Sequence, residues 1–83
     1  MTQVHVDFET DVFTALRKSP QEVAQEMRVG IAVLWYARGL VSQGKAAEIA
    51  GLSRAAFLDA LAASGVPACQ ETIEEIREAL GHA

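Results

Sequence analysis

The side chains able to do chemistry gather in one stretch. Arg38, Ser42, Gln43, Lys45, Ser53 and Arg54 fall within a segment whose only acidic residue before Asp59 is Glu48. Guanidinium and ammonium groups bind phosphates. An arginine on a helix can also take the O6 and N7 edge of guanine, and hydroxyls donate to phosphate oxygens. Residues of these types, spaced across two short helices, are what a DNA-reading helix pair presents. In this reading Arg54 takes a base edge, Lys45 and Arg38 sit on phosphates, and Ser42, Gln43 and Ser53 support them. Asp59 would repel phosphates if it faced them, and the chain has no Asn for adenine readout. The plain alternative is that Arg54 and Lys45 are solvated surface charges.

Charge along the chain agrees with that placement. The 83 residues carry 7 basic and 11 acidic side chains, a net charge of −4. Residues 38–58 set Arg38, Lys45 and Arg54 against Glu48, so this is the one segment able to face a polyanion without penalty. From residue 59 onward, Arg77 stands against Asp59, Glu71, Glu74, Glu75 and Glu78. That acidic tail suits a basic protein partner.

The elements that must position these groups follow from caps and breakers. Ser19-Pro20-Gln21-Glu22 is a helix start, with a capping serine, Pro at the first helical position and Glu three residues after the cap. Val23, Met27, Ile31 and Leu34 then recur as one helix face, widened by Ala24 and Trp35, and Gly39 should end the helix, with Leu40 folding back on it. Ser42 to Ala50 reads as the next helix, broken by Gly51, and Ser53 opens another to about Ser64, ended by Gly65 and Pro67. Glu9 to Lys18 is compatible with a helix. Thr72-Ile73-Glu74-Glu75 is a second capping box and opens an acidic helix over about 72–80. Its Ile73, Glu74, Ile76, Arg77 and Leu80 are the candidate partner-binding residues, lying in a groove of a basic protein. Val4, Val6 and Phe8 alternate with Gln3, His5 and Asp7, which predicts a short strand over 3–8. Residues 66–70 could pair with it, or it could pair with the same strand of a second subunit. The expected fold is mainly α: four to five short helices around a helix-turn-helix at about 42–64, with one or two short strands near the termini, all in one domain over 1–83.

A helix-turn-helix needs small residues where its helices cross, a residue tolerant of the left-handed region in the turn, and apolar anchors on the second helix. Ala46, Ala47 and Ala50, then Gly51, then Leu52, Phe57 and Leu61 meet these needs in order. The same shape also serves simply to build a helical core.

With those residues in place, the chain resembles a widespread prokaryotic family of short proteins, long catalogued as uncharacterised and regarded as predicted antitoxins of type II toxin–antitoxin pairs. The resemblance runs through Arg28-Val29-Gly30-Ile31-Ala32-Val33, Ala37-Arg38-Gly39-Leu40-Val41-Ser42, Gly44 to Arg54, Phe57-Leu58 and Gly65-Val66-Pro67. It implies a helix-turn-helix antitoxin that represses its own operon and blocks a toxin, often a PIN-domain ribonuclease. One departure is Ala68-Cys69-Gln70, where such proteins usually carry an aliphatic, aromatic and more acidic segment. The expected partners are double-stranded DNA, a protein toxin and a second copy of the chain. The contrasting expectation is a protein-interaction module that uses its acidic C-terminal helix and binds no DNA.

Other chemistry fits poorly. Gly39 to Lys45 follows a phosphate-binding loop for seven positions, but Ala46 stands where Ser or Thr must hold magnesium. His5 and His82 lie at opposite ends, and Cys69 is the only cysteine, so no zinc set or disulfide is expected. No nucleophile has a base beside it. The expectation is a non-enzyme without cofactors. The absence of a basic, apolar leader or a membrane-length apolar run points to a cytoplasmic, non-membrane chain.

Overall fold

Ser19, Ser42 and Ser53 each end a non-helical stretch and start a helix. The computed structural model describes residues 1–68. Four helices follow in order: α1 Thr10–Leu16, α2 Pro20–Ala37, α3 Gln43–Ala50 and α4 Arg54–Ala63. The three serine hydroxyls accept the backbone N–H of Glu22, Lys45 and Ala56, each at 3.1 Å. At the first of these caps the Glu22 carboxylate accepts the Ser19 N–H at 3.3 Å, which completes the capping box. Each such cap supplies a partner to an orphan donor and contributes about 1 kcal/mol.

The helix ends obey one rule as well. Gly39, Gly51 and Gly65 sit at φ near +70°, and the next N–H turns back onto the last turn. Leu40 donates to the Trp35 carbonyl at 2.9 Å, Leu52 to Ala47 at 3.0 Å and Val66 to Leu61 at 2.9 Å. Arg17 does the same job for α1 at φ 56°, with no glycine to ease it. The Leu40 side chain, expected to fold back on its helix, is instead 66% exposed; only its backbone returns.

The core lies where α2, α3 and α4 meet. Ala32, Val33 and Tyr36 come from α2, Ala46, Ala47 and Ala50 from α3, and Phe57 and Leu61 from α4. Ala32, Ala46 and Ala50 have no exposed surface, so the α2 and α3 backbones approach closely. Phe57 and Leu61 are also fully buried, and each gains about 1.5–3 kcal/mol from that burial. The Phe57 ring meets Tyr36 edge-on, with centroids 6.0 Å apart. Two α2 side chains then tie down the far end of α3: Gln25 Nε2 donates to the Ala50 carbonyl at 2.9 Å and Arg28 Nε to the Ile49 carbonyl at 3.1 Å. These carbonyls have no acceptor role within the helix, and a cation there suits the negative helix end.

The strand expectation requires correction, and the apolar stripe proves to be the outer face of α2. The apolar stripe Val23, Met27, Ile31 and Leu34 is not the core face of α2. Val23 is buried, but Met27, Ile31 and Leu34 are 38–44% exposed, with Trp35 at 36%. The core face is Val29, Ala32, Val33 and Tyr36, about 180° around the helix at 100° per residue. The alanine surface of α3 explains the choice, because it admits the side of α2 carrying Ala32, whereas Met27 and Ile31 would hold the helices apart. Nor is there a strand among the described residues. Residues 1–9 are exposed and in no regular structure, and the backbone of residues 1–7 makes no hydrogen bond among the described residues. A strand pattern without an edge to pair with cannot close a ladder. Residues 66–68 form no strand either. The acidic helix at about 72–80, with Ile73, Glu74, Ile76, Arg77 and Leu80, lies outside the described residues, as do Cys69 and His82.

Two glycines of α3 and its turn should respond oppositely to alanine. Gly51→Ala forces a Cβ into the left-handed region and should cost about 1–2 kcal/mol of unfolding free energy. Gly44→Ala, with no atom within 4 Å of the added Cβ, should gain up to about 1 kcal/mol. Urea denaturation followed by circular dichroism reads both.

Candidate nucleic-acid interface

Gly51, Leu52 and Ser53 form the three-residue turn between α3 and α4, so residues 43–63 are two short helices joined by a tight turn. Leu52 is half-buried against the core and fixes the turn, while the Ser53 cap sets the entry of α4.

The six candidate residues fall into distinct environments. Arg54 is the first residue of α4 and Gln43 the first of α3. The structure joins them: Arg54 Nε donates to Gln43 Oε1 at 2.8 Å. Gln43 Nε2 in turn donates to the Ala68 carbonyl at 3.1 Å, and that carbonyl also accepts the Tyr36 hydroxyl. The guanidinium is thus held in orientation through one of its five N–H donors, and the four on its terminal nitrogens remain for another acceptor. Asp59 is exposed and stands about 140° around α4 from Arg54, so it is not a partner for this guanidinium.

The hydroxyls of Ser42 and Ser53 are engaged as acceptors in the helix caps. Each keeps its O–H to donate. Lys45 is exposed and pairs with Glu48 of its own helix at 3.1 Å. An exposed pair of this kind is worth less than about 1 kcal/mol and opens readily for a stronger anion. Arg38 caps the end of α2, is exposed, and has no side-chain partner among the described residues. It precedes Ser42 by one short connection, so Arg38, Ser42 and Gln43 share one end of the helix-turn-helix. The first turns of α3 and α4 carry no acidic residue, unlike those of α1 and α2, which hold Asp11 and Glu22. Unopposed helix N-termini favour anions.

Three side chains escaped the reading of the sequence. Gln25 and Arg28 brace the end of α3, and Arg28 also passes over Gly51, where an added Cβ would lie 3.6 Å from its guanidinium. The available signal was a Gln and an Arg three residues apart on one side of α2, followed later in the chain by a glycine turn. Tyr36 is the third, buried with its hydroxyl on Ala68, and only the folded chain reveals that partner.

Among the described residues no group of three or more His, Cys, Asp or Glu side chains could hold a metal ion. No described helix is long and apolar enough to cross a membrane.

Comparison with known proteins gives a family. Two curated proteins of Aeropyrum pernix, each described as a UPF0175 protein, are similar to this chain. One is 39% identical over 70 residues, covering 84% of this chain and 78% of its own length. The other is 38% identical over 60 residues, covering 72% and 76% respectively. No solved structure matches the chain. A family model described as an uncharacterised protein family, UPF0175, matches residues 1–83 from end to end, and the chain belongs to that family.

Proposed function

We propose that this protein is a DNA-binding, antitoxin-like repressor that reads its own promoter through the helix-turn-helix. The observation that carries the reading is the Arg54–Gln43 pair at the start of the second helix of that motif. An arginine held at one edge by an amide has lost much of its rotamer freedom before it meets DNA, so less entropy is lost on contact. Its free edge is the fork that matches guanine O6 and N7. Arg38 and Lys45, the capped hydroxyls of Ser42 and Ser53, and the two unopposed helix N-termini supply phosphate contacts around it. The chain as a whole is acidic, so only this local surface suits a polyanion, and a nonspecific grip on DNA would be poor.

The second half of the reading is neutralisation of a protein toxin, a PIN-domain ribonuclease by the family resemblance. Its support is the sequence alone: an acidic segment with Ile73, Ile76 and Leu80 at helical spacing, next to Glu74 and Arg77. DNA would then use residues 38–54, and the toxin the C-terminal segment.

Arg54→Ala should weaken binding to the upstream DNA by about 10- to 100-fold and relax preference at one base position. Gln43→Ala should weaken it less, with no change in helix content. Lys45→Ala should lower affinity evenly across sequences and reduce the salt slope by about 1. Fluorescence anisotropy over a salt series measures all three, and unchanged binding for R54A and K45A would overturn the mechanism. Removal of residues 71–83 should abolish capture of a co-expressed neighbouring PIN-type protein while DNA binding persists. Undiminished capture would refute the role given to that segment.

A further inference from the structure

Helix α2 has two apolar faces, and the described residues bury only one. The inner face meets α3 and α4. The outer face, with Met27, Ile31, Leu34 and Trp35, stays 36–44% exposed. Beside it runs the N-terminal segment, and Val4, Val6, Met27, Ile31 and Trp35 line an open groove of about 630 Å³. An apolar helix face left in water gains from being covered.

We infer that a second copy of this chain docks on this face, with residues 3–8 of the two copies pairing as antiparallel strands across it. Four observations favour this occupant. The segment has the alternation of a half-buried strand, Val4, Val6 and Phe8 against Gln3, His5 and Asp7, while residues 1–7 have no backbone partner among the described residues. An identical segment supplies the missing ladder, and antiparallel self-pairing gives a two-fold contact that uses the same patch twice. Charge selects the face as well. Two chains of net charge −4 repel, and the outer face of α2 brings no carboxylate into the contact. Its nearest charges are Arg28, on the Ile49 carbonyl, Glu26, on Lys18, and Arg38, a cation one turn beyond Leu34. Area points the same way: Val4, Val6, Met27, Ile31, Leu34 and Trp35 together expose on the order of 500 Å², against about 800 Å² per partner in a standard interface. The paired backbones and Phe8 supply much of the remainder. Finally, α1 has no buried residue and the arm's Phe8 rests edge-on against Phe13 at 6.2 Å, so moving the arm disturbs no residue of the core cluster.

This inference does not rest on DNA binding, and its test contains no DNA. Sedimentation velocity of the full chain should give a dimer of the 8.9 kDa protomer at concentrations of about 10–100 μM. Ile31→Glu and Val6→Pro should each raise the dimer dissociation constant by at least about tenfold, a loss of 1.4 kcal/mol or more. The first places a charge on the face, and the second removes a ladder donor. Both positions are exposed in the protomer, so circular dichroism should show unchanged helix content. If I31E loses helix signal, Leu34→Glu, on the same face, takes its place. A wild-type chain that remains monomeric at about 100 μM overturns the inference, and would leave the face to residues 69–83 or to a different protein. A dimer that either variant leaves unchanged also overturns it.

Discussion

The close crossing of α2 over α3 is the constraint to which the rest of the molecule answers. Ala32 on one side and Ala46, Ala47 and Ala50 on the other are buried where the helices meet, and their small side chains let the two backbones come close. So small a contact buries little by itself. It becomes stable because Phe57 and Leu61 of α4 wedge in beside it, and because Tyr36 closes over Phe57. The crossing also sets the angle of the turn. Gly51 must adopt positive φ for Leu52 to drop back into the core and for Ser53 to start α4. The placement of Arg54 beside Gln43 is a consequence of that geometry.

The polar braces serve the same crossing. Gln25 and Arg28 hold the carbonyls at the end of α3, where a helix of eight residues would otherwise fray. At the opposite end, Gln43 and Tyr36 share the Ala68 carbonyl, which anchors the chain as it leaves α4. Gln43 therefore stands between two duties. One hand of its amide holds the exit from α4, and the other steadies the guanidinium that would meet DNA. Loss of either hydrogen bond should be felt at the other, since one side chain makes both.

Local signals were legible in the sequence, and the choice between two faces of one helix was not. Three serine caps, a capping box and three glycine ends placed α2, α3 and α4 to within a residue or two, because each cap is a contact between near neighbours. The same caps put Gln43 and Arg54 at the first positions of α3 and α4. The stripe read from the sequence marks one face of α2, and the other face is the one that packs. Periodicity favours the larger side chains Met27, Ile31 and Leu34, whereas the partner helix, lined with alanine, selects Ala32 and Val33. That preference belongs to a pair of helices and cannot be read from one. The strand over 3–8 failed for a related reason: alternation describes a surface that wants covering, and no edge to cover it exists among the described residues. Family membership agrees with the resemblance carried by residues 28–67 and adds no activity to it.

The central claim is that an acidic protein reads DNA through one small basic surface. The direct measurement is a titration of purified wild-type protein against a labelled fragment of its own upstream region, at two salt concentrations, with unrelated competitor DNA present. The account predicts binding that survives the competitor and weakens as salt rises. Binding that is absent, or that the competitor fully removes, would contradict it and leave the helix-turn-helix as a shape that serves only to build the core.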